Sequence, residues 1–309
     1  MHERQMDRWK HTHTFGTQEV PRGESRTHWV IGLTLVMMVI EIAAGLAFGS
    51  MALLADGWHM GTHAAALGVT AFAYLYMRRH AEDPRYSFGT GKVGSLGGFA
   101  SAVALGVVAV LVFGESALRL ATPTEIQFNY AIGVAVVGLL VNLVSAFILR
   151  DDHHHGAGSG GHRHHDHNLR AAYLHVVADA LTSLLAIFAL SAGKFLGWMW
   201  MDPVMGIVGS LIIARWSLGL LGETSAVLLD GEVGTEERDA IRSLVEADGD
   251  DRVADLHIWR VGPSHLAAIL SVVTHELKSP THYKALLAER SDLVHLTVEV
   301  QLCTDEKVA

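Results

Sequence analysis

The chain has 309 residues, half of them hydrophobic, with 20 histidines, a formal net charge of −9 and a mean hydropathy of +0.30. The acidity, with no basic stripe interleaved with aromatics, excludes a nucleic-acid partner, and the lone Cys303 excludes an intrachain disulfide. Apolar residues gather in long runs between short polar connectors, which excludes an ordinary soluble enzyme and indicates a membrane protein.

Residues 1–28 are polar and basic, with His2, His11 and His13, and lack an apolar core followed by a cleavage site. They read as a cytoplasmic tail and not as a signal peptide. Crossing the hydrocarbon takes about 20 mainly apolar residues, and six segments satisfy this: Trp29 to Phe48, Ala52 to Met77, Val93 to Leu118, Phe128 to Leu149, Leu169 to Leu196 and Pro203 to Leu221. Gly193 and Gly197 mark the turn between the last two, and Trp198 and Trp200 beside it suit a membrane interface. Lys and Arg concentrate in the first tail, in the second connector (Arg78, Arg79, Arg85, Lys92) and in the fourth (Arg150, Arg163, Arg170). The positive-inside rule therefore predicts cytoplasmic termini in a multi-pass inner-membrane protein with a transmembrane domain over 29–221.

The fourth connector, 151–168, reads DDHHHGAGSGGHRHHDHN and has no apolar residue beyond Ala157 with which to build a core. It is expected to be a mobile loop that gathers metal weakly through His153, His154, His155, His162, His164, His165 and His167, or else a tolerated low-complexity linker. After Leu221 the apolar runs shorten to strand length. Thr235 to Ala247 is predicted as a helix with Thr235 as N-cap. Arg252 to Val261 and Leu266 to Thr274 read as strands joined by a Gly262-Pro263 turn. Pro280 opens a helix through Arg290, and Val294 to Leu302 alternates as a last strand. The order α-β-β-α-β predicts a small open-faced sandwich over 222–309. His295 is expected on its wet face with Thr297, Glu299 and Gln301, available as a ligand; His257 is the other candidate tail ligand, although for it ordinary surface histidine is the better reading.

The chemistry lies inside the spans. Asp56, His59 and His63 are separated by three and four residues, which puts them on one helical face, and His175 and Asp179 are again four apart. Ionisable groups in lipid cost a few kcal/mol each unless paired or bound to an ion. A single such residue is as readily a buried polar group bonded to a neighbouring helix. Two pairs at matching depth near the bilayer middle favour one shared site, the place where an alternating-access transporter holds its cargo. His59, His63, His175 and Asp179 offer three nitrogens and one oxygen, a set suited to tetrahedral Zn²⁺ or Co²⁺. Asp56 is read as an access ligand or as an acceptor that fixes the tautomer of a coordinating imidazole. Glu41 and Asn142 either line the same cavity or serve a structural role.

SMALLADGWHMGTHAAAL in the second span, RYSFGTGK before the third, HVVAD in the fifth, DP opening the sixth, and DLHIW with HLTVEVQ in the tail together resemble the cation diffusion facilitator family of metal exporters. The resemblance implies that His59, His63, His175 and Asp179 bind the transported ion, that metal is exchanged for protons, that two copies pair as a homodimer, and that the tail is ferredoxin-like. Family members usually carry Asp where this chain has His63. That departure and the His-rich loop resemble the cobalt- and nickel-exporting subgroup, with zinc or cadmium as the alternative cargo. No catalytic or cofactor-binding constellation is read, and the metal is substrate. Two other classes compete: a membrane-bound metal sensor, and a histidine-box metalloenzyme, which would need several such boxes at the membrane boundary.

Overall fold

The computed structural model describes residues 25–303 except 82, 151–162 and 232, and within its helices the side chains of 25–31, 62–67, 70, 74, 146–150 and 163–179 lie outside that description. Two compact units emerge: Val69–Phe99 with the chain from Gly222 onward, and Pro21–Gly68 with Ala100–Leu221. Three long helices contribute to both.

Six long helices run in succession: α1 (Ser25–Phe48), α2 (Met51–Arg79), α3 (Val93–Ala121), α4 (Phe128–Arg150), α5 (Arg163–Leu196) and α6 (Met201–Leu228). Large apolar side chains among the described residues face outward from them; Val110, Leu111 and Leu218 are 65–70 % exposed. Such surfaces are stable only in lipid, where a helix satisfies its own backbone. Among the described residues, Val93–Ala121, Phe128–Ser145 and Met201–Leu228 are long and apolar enough to cross a membrane, and Gly32–Phe48 and Ala180–Leu196 are shorter apolar stretches.

Several helices outrun their apolar runs. α5 starts at Arg163, inside the segment expected as loop, and α6 continues past Leu221 to Leu228. The reason is that the i to i−4 ladder does not need an apolar face and persists where polar residues leave the lipid. His164, His165 and His167 thus lie on helical backbone, whereas His153, His154, His155 and His162 fall outside the described residues.

In the unit holding residues 100–221, α4 packs on α1 and on α5. Ala44, Leu53, Ala131, Ala135 and Leu190 bury one junction of α1, α2, α4 and α5, and Leu105, Ala109 and Ile213 bury another between α3 and α6. The small residues let helix backbones approach, and this contact drives association where the hydrophobic effect does not.

In the other unit, α7 (Thr235–Glu246), β1 (Arg252–Arg260), β2 (Leu266–Thr274), α8 (Pro280–Leu286) and β3 (Leu293–Leu302) follow in the predicted order. The N-cap of α7 is Gly234, not Thr235, because the Gly234 carbonyl accepts the first helical bonds. α8 ends at Leu286, four residues short of the expected Arg290, where Leu287 leaves helical geometry (φ −96°, ψ 4°). β1 and β2 are antiparallel and β2 and β3 parallel, which makes β2 central and assigns the crossover to α8. Leu256, Ile258, Leu266, Ala268, Leu270 and Val272 point to one side, where Ile241 and Val245 of α7 and Tyr283 of α8 cover them. The opposite face carries Asp255, His257, Thr297 and Glu299 and lacks a helical layer among the described elements.

Candidate metal centre

The site begins where α2 begins. Its first turn leaves backbone N–H groups without intrahelical acceptors. Asp202, buried in the first turn of α6, receives them: Met51 N donates to Oδ2 at 2.8 Å and Ala52 N to Oδ1 at 3.2 Å. Ser50 Oγ also donates to Oδ1, at 2.6 Å, and accepts from Leu53 N at 3.1 Å. α6 then runs parallel to α2 in close contact, because a Cβ on Gly206 would come within 2.8 Å of Met51 Cβ and one on Gly209 within 2.8 Å of Ala55 Cβ. Farther along, the indole of Trp216 lies over the imidazole of His59, centroids 4.7 Å apart and planes tilted 40°.

α5 meets α2 from another side through polar groups. Thr182 Oγ1 donates to Asp56 Oδ1 and Ser183 Oγ to Asp56 Oδ2, both at 2.7 Å. Asn142 of α4 donates to Ser183 Oγ at 3.3 Å. Between α2, α5 and α6 lies a cavity of about 50 Å³, reached by Asp56, His59 and Thr182 and otherwise lined by apolar groups such as Leu185 and Met205. A site holds a water once it offers about 10–15 Å³, so this one has room for an ion that retains part of its hydration.

The structure therefore puts Asp56 and His59, each 5 % exposed, on one cavity. His63 lies on α2 and His175 and Asp179 on α5, with side chains outside the described residues. Asn142 engages Ser183, and Glu41 is buried beside Gly138 of α4; neither lines the cavity. Four residues that shape the site went unread in the sequence. Asp202 was visible only as the DP opening the sixth span, and Thr182 and Ser183 as hydroxyls one turn beyond Asp179. Trp216 gave no signal, because an indole in a span is ordinary.

The tail histidines sit elsewhere. His257 Nε2 pairs with Asp255 Oδ2 at 2.9 Å. His295, expected on a wet face, is half-buried and stacks edge-on against Phe88 at 5.3 Å, with Trp259 on that ring as well, at 5.9 Å. Lys92 pairs with Asp230 nearby. A second charged cluster joins the turn before β1 to the turn after β2: Lys278 Nζ bonds Asp248 Oδ2 and the fully buried Asp251 at 2.9 Å each, His282 bonds Asp248, and His275 Nδ1 bonds Asp250 at 2.6 Å. His282, then Lys278, hold the Asp248 carboxyl below its ordinary range, and His275 does the same for Asp250. Asp251 and Asp248 raise the Lys278 ammonium, and burial followed by Asp251 pushes the Tyr283 phenol up to about 12. Among the described residues, no three His, Cys, Asp or Glu side chains are grouped to hold a metal ion.

Residues 28–229 match the family model described as the cation efflux transmembrane domain. The chain belongs to the cation diffusion facilitator family. This cation efflux protein is 30 % identical to the zinc transporter ZitB of Escherichia coli (strain K12), over 94 % of this chain and 92 % of ZitB. It is 28 % identical to the cation efflux system protein CzcD of Alcaligenes sp. (strain CT14), covering 93 % and 90 % of the two chains. It is 26 % identical to the cadmium, cobalt and zinc/H(+)-K(+) antiporter of Bacillus subtilis (strain 168), covering 85 % and 84 %. Membership makes it a membrane transporter that exports divalent metal cations, and not an enzyme.

Proposed function

We propose that this exporter spans the inner membrane six times with both termini in the cytoplasm, pairs as a homodimer, and carries one divalent ion at a time on His59, His63, His175 and Asp179. The carrying observation is the cavity that His59 enters between α2, α5 and α6. α1, α2 and α5, with 24, 29 and 34 residues, are long enough to complete six spans beside the three strongly apolar helices. The α-β-β-α-β order of the tail supports the ferredoxin-like domain that the family resemblance implies, and the sheet face bearing Asp255, His257, Thr297 and Glu299 is proposed to pair between copies.

Zinc is the proposed first cargo, with cadmium and cobalt after it and nickel last. The cobalt and nickel preference expected from His63 yields to two considerations. Zinc appears in the names of the Escherichia coli and Bacillus subtilis relatives, cobalt and cadmium in the second, and nickel in neither, and an N₃O site binds zinc more tightly than cobalt.

Three imidazoles and a carboxylate hold a cation only when deprotonated. Cytoplasmic metal is taken up by the deprotonated set; helix rocking exposes the site to the far side, where protons compete for the same nitrogens and oxygen and displace the ion. The test is flux of zinc, cadmium, cobalt, nickel and manganese into sealed vesicles bearing the purified protein, read by an ion-sensitive dye under a pH gradient. Zinc flux linked to proton counterflow is expected, and His175→Ala abolishes it while the protein still folds. A sensor or a histidine-box enzyme gives no flux, and full flux in His175→Ala refutes the site.

A further inference from the structure

We propose that Asp56 is a positioning residue that sets the register of α2 against α5, and not a ligand of the transported ion. The inference rests on the transport site proposed above. Its observation is that the two carboxylate oxygens are taken separately by two hydroxyls of α5, Thr182 on Oδ1 and Ser183 on Oδ2, each at 2.7 Å. O–H donors on an ionised acceptor form the stronger class of hydrogen bond, with distances of about 2.5–2.7 Å. Asn142 donates to Ser183 Oγ and thereby orients that hydroxyl toward Asp56, which ties α4 into the same chain of bonds. Asp56, Ser183 and Asn142 are all nearly fully buried, so bulk water has little access to these bonds.

α2 runs parallel to α6, and the short turn at Gly197 reverses the chain between α5 and α6, so α2 and α5 are antiparallel. Four residues outward from the clamp, Ala52 and Ala186 line the same cavity. Three residues inward from Asp56 on α2 is His59, and three back from Thr182 on α5 is Asp179. Seven residues inward are His63 and His175. The clamp thus sets the four proposed ligand positions at two shared levels, about 4.5 Å and about 10.5 Å below it at 1.5 Å of rise per residue. A slip of one residue moves a level by about 1.5 Å and turns the helix face by about 100°. Metal–ligand distances tolerate only about 0.2 Å, so a site divided between two helices depends on something that fixes their register, and hydroxyl–carboxylate bonds one turn away do this without occupying the cavity's donor set.

Two variants separate the roles: Asp56→Asn, and the double variant Thr182→Val with Ser183→Ala, which removes both donors and touches no proposed ligand. In vesicle flux the double variant is expected to raise the KM for zinc and cobalt together by roughly tenfold or more, the usual loss when a group supporting a metal ligand is removed, while maximal flux changes much less. Adding Asp56→Asn to it is expected to cause no further loss. A wild-type KM in the double variant, with loss confined to Asp56→Asn, makes Asp56 a ligand and overturns the proposal. Independently of transport, Ala52→Cys with Ala186→Cys on a Cys303→Ser background is expected to cross-link on oxidation, with lower yield once the hydroxyls are removed. No cross-link in the parent, or equal yield with and without the hydroxyls, overturns the register lock. A wild-type protein that moves no metal, beside a cysteine pair that does cross-link, refutes the transport site alone.

Discussion

Glu41 shows how closely a single position is specified. Its side chain is fully buried on α1, and a Cβ built on Gly138 of α4 would fall 2.0 Å from Oε1 and 3.4 Å from Met37 Cε. Only a missing side chain at 138 leaves room for that carboxylate. Gly138→Ala therefore forces Glu41 off its rotamer or parts α1 from α4; overpacking of this kind costs about 1–3 kcal/mol, and thermal unfolding in detergent is expected to show a lower Tm, whereas an unchanged Tm refutes the contact. The sequence displayed Glu41 and Asn142 as polar residues out of place in lipid, but not their neighbours. Helical spacing identifies groups that share a face of one helix; it is silent on which face of another helix they meet. Asp56 and His59 were legible for that reason, and Thr182, Ser183 and Trp216 were not.

At the level of elements, short apolar runs bounded by a turn made β1 and β2 readable and alternation made β3 so, while Pro280 and the charged first turn of α7 marked the helix starts. Strand direction was less visible, because Val298 and Val300 alternate with Glu299 and Gln301 identically in a parallel or an antiparallel neighbour. What the sequence concealed altogether is the charge cluster that ties the turn at 247–251 to the turn at 275–278. Asp248 and Asp250 titrate below their unfolded range, near 3.9, so their contribution is complete above that range and disappears as pH falls through the lower folded values. The raised Lys278 ammonium contributes below its unfolded pKa, near 10.4, and loses that contribution only as pH rises through the still higher folded value. Both terms are present between about pH 5 and pH 9. Hydrogen-exchange protection of 252–260 and 266–274, corrected for intrinsic rates, is expected to weaken below about pH 4. Lys278→Ala is expected to lower it at neutral pH, because the buried Asp251 loses its cation. Full protection at pH 3 together with full protection in Lys278→Ala refutes the staple.

Over the whole chain, metal has to be captured from dilute solution and then carried, and under the proposed transport site the two tasks would fall to different histidines. His59 and the proposed partner His63 lie on α2, and His175 and Asp179 on α5, whereas His153, His154, His155, His162, His164, His165 and His167 belong to the His-rich stretch after α4. His164, His165 and His167 lie on α5 itself, the helix that bears His175 and Asp179, and the other four precede it in the chain by no more than ten residues. Tethering converts a second binding event into an intramolecular one, with effective concentrations in the millimolar range for short linkers. An imidazole cluster binds borderline cations without choosing among them, so its effect belongs in capture and not in selectivity. Deleting 153–162 is accordingly expected to raise the KM for zinc severalfold in vesicle flux, with maximal flux and the order of preferred metals preserved, while His59→Ala removes flux at every concentration. An unchanged KM assigns the loop no part in capture. A loss of maximal flux instead makes it part of the carrying step, since saturating metal compensates for poor capture but not for a missing ligand.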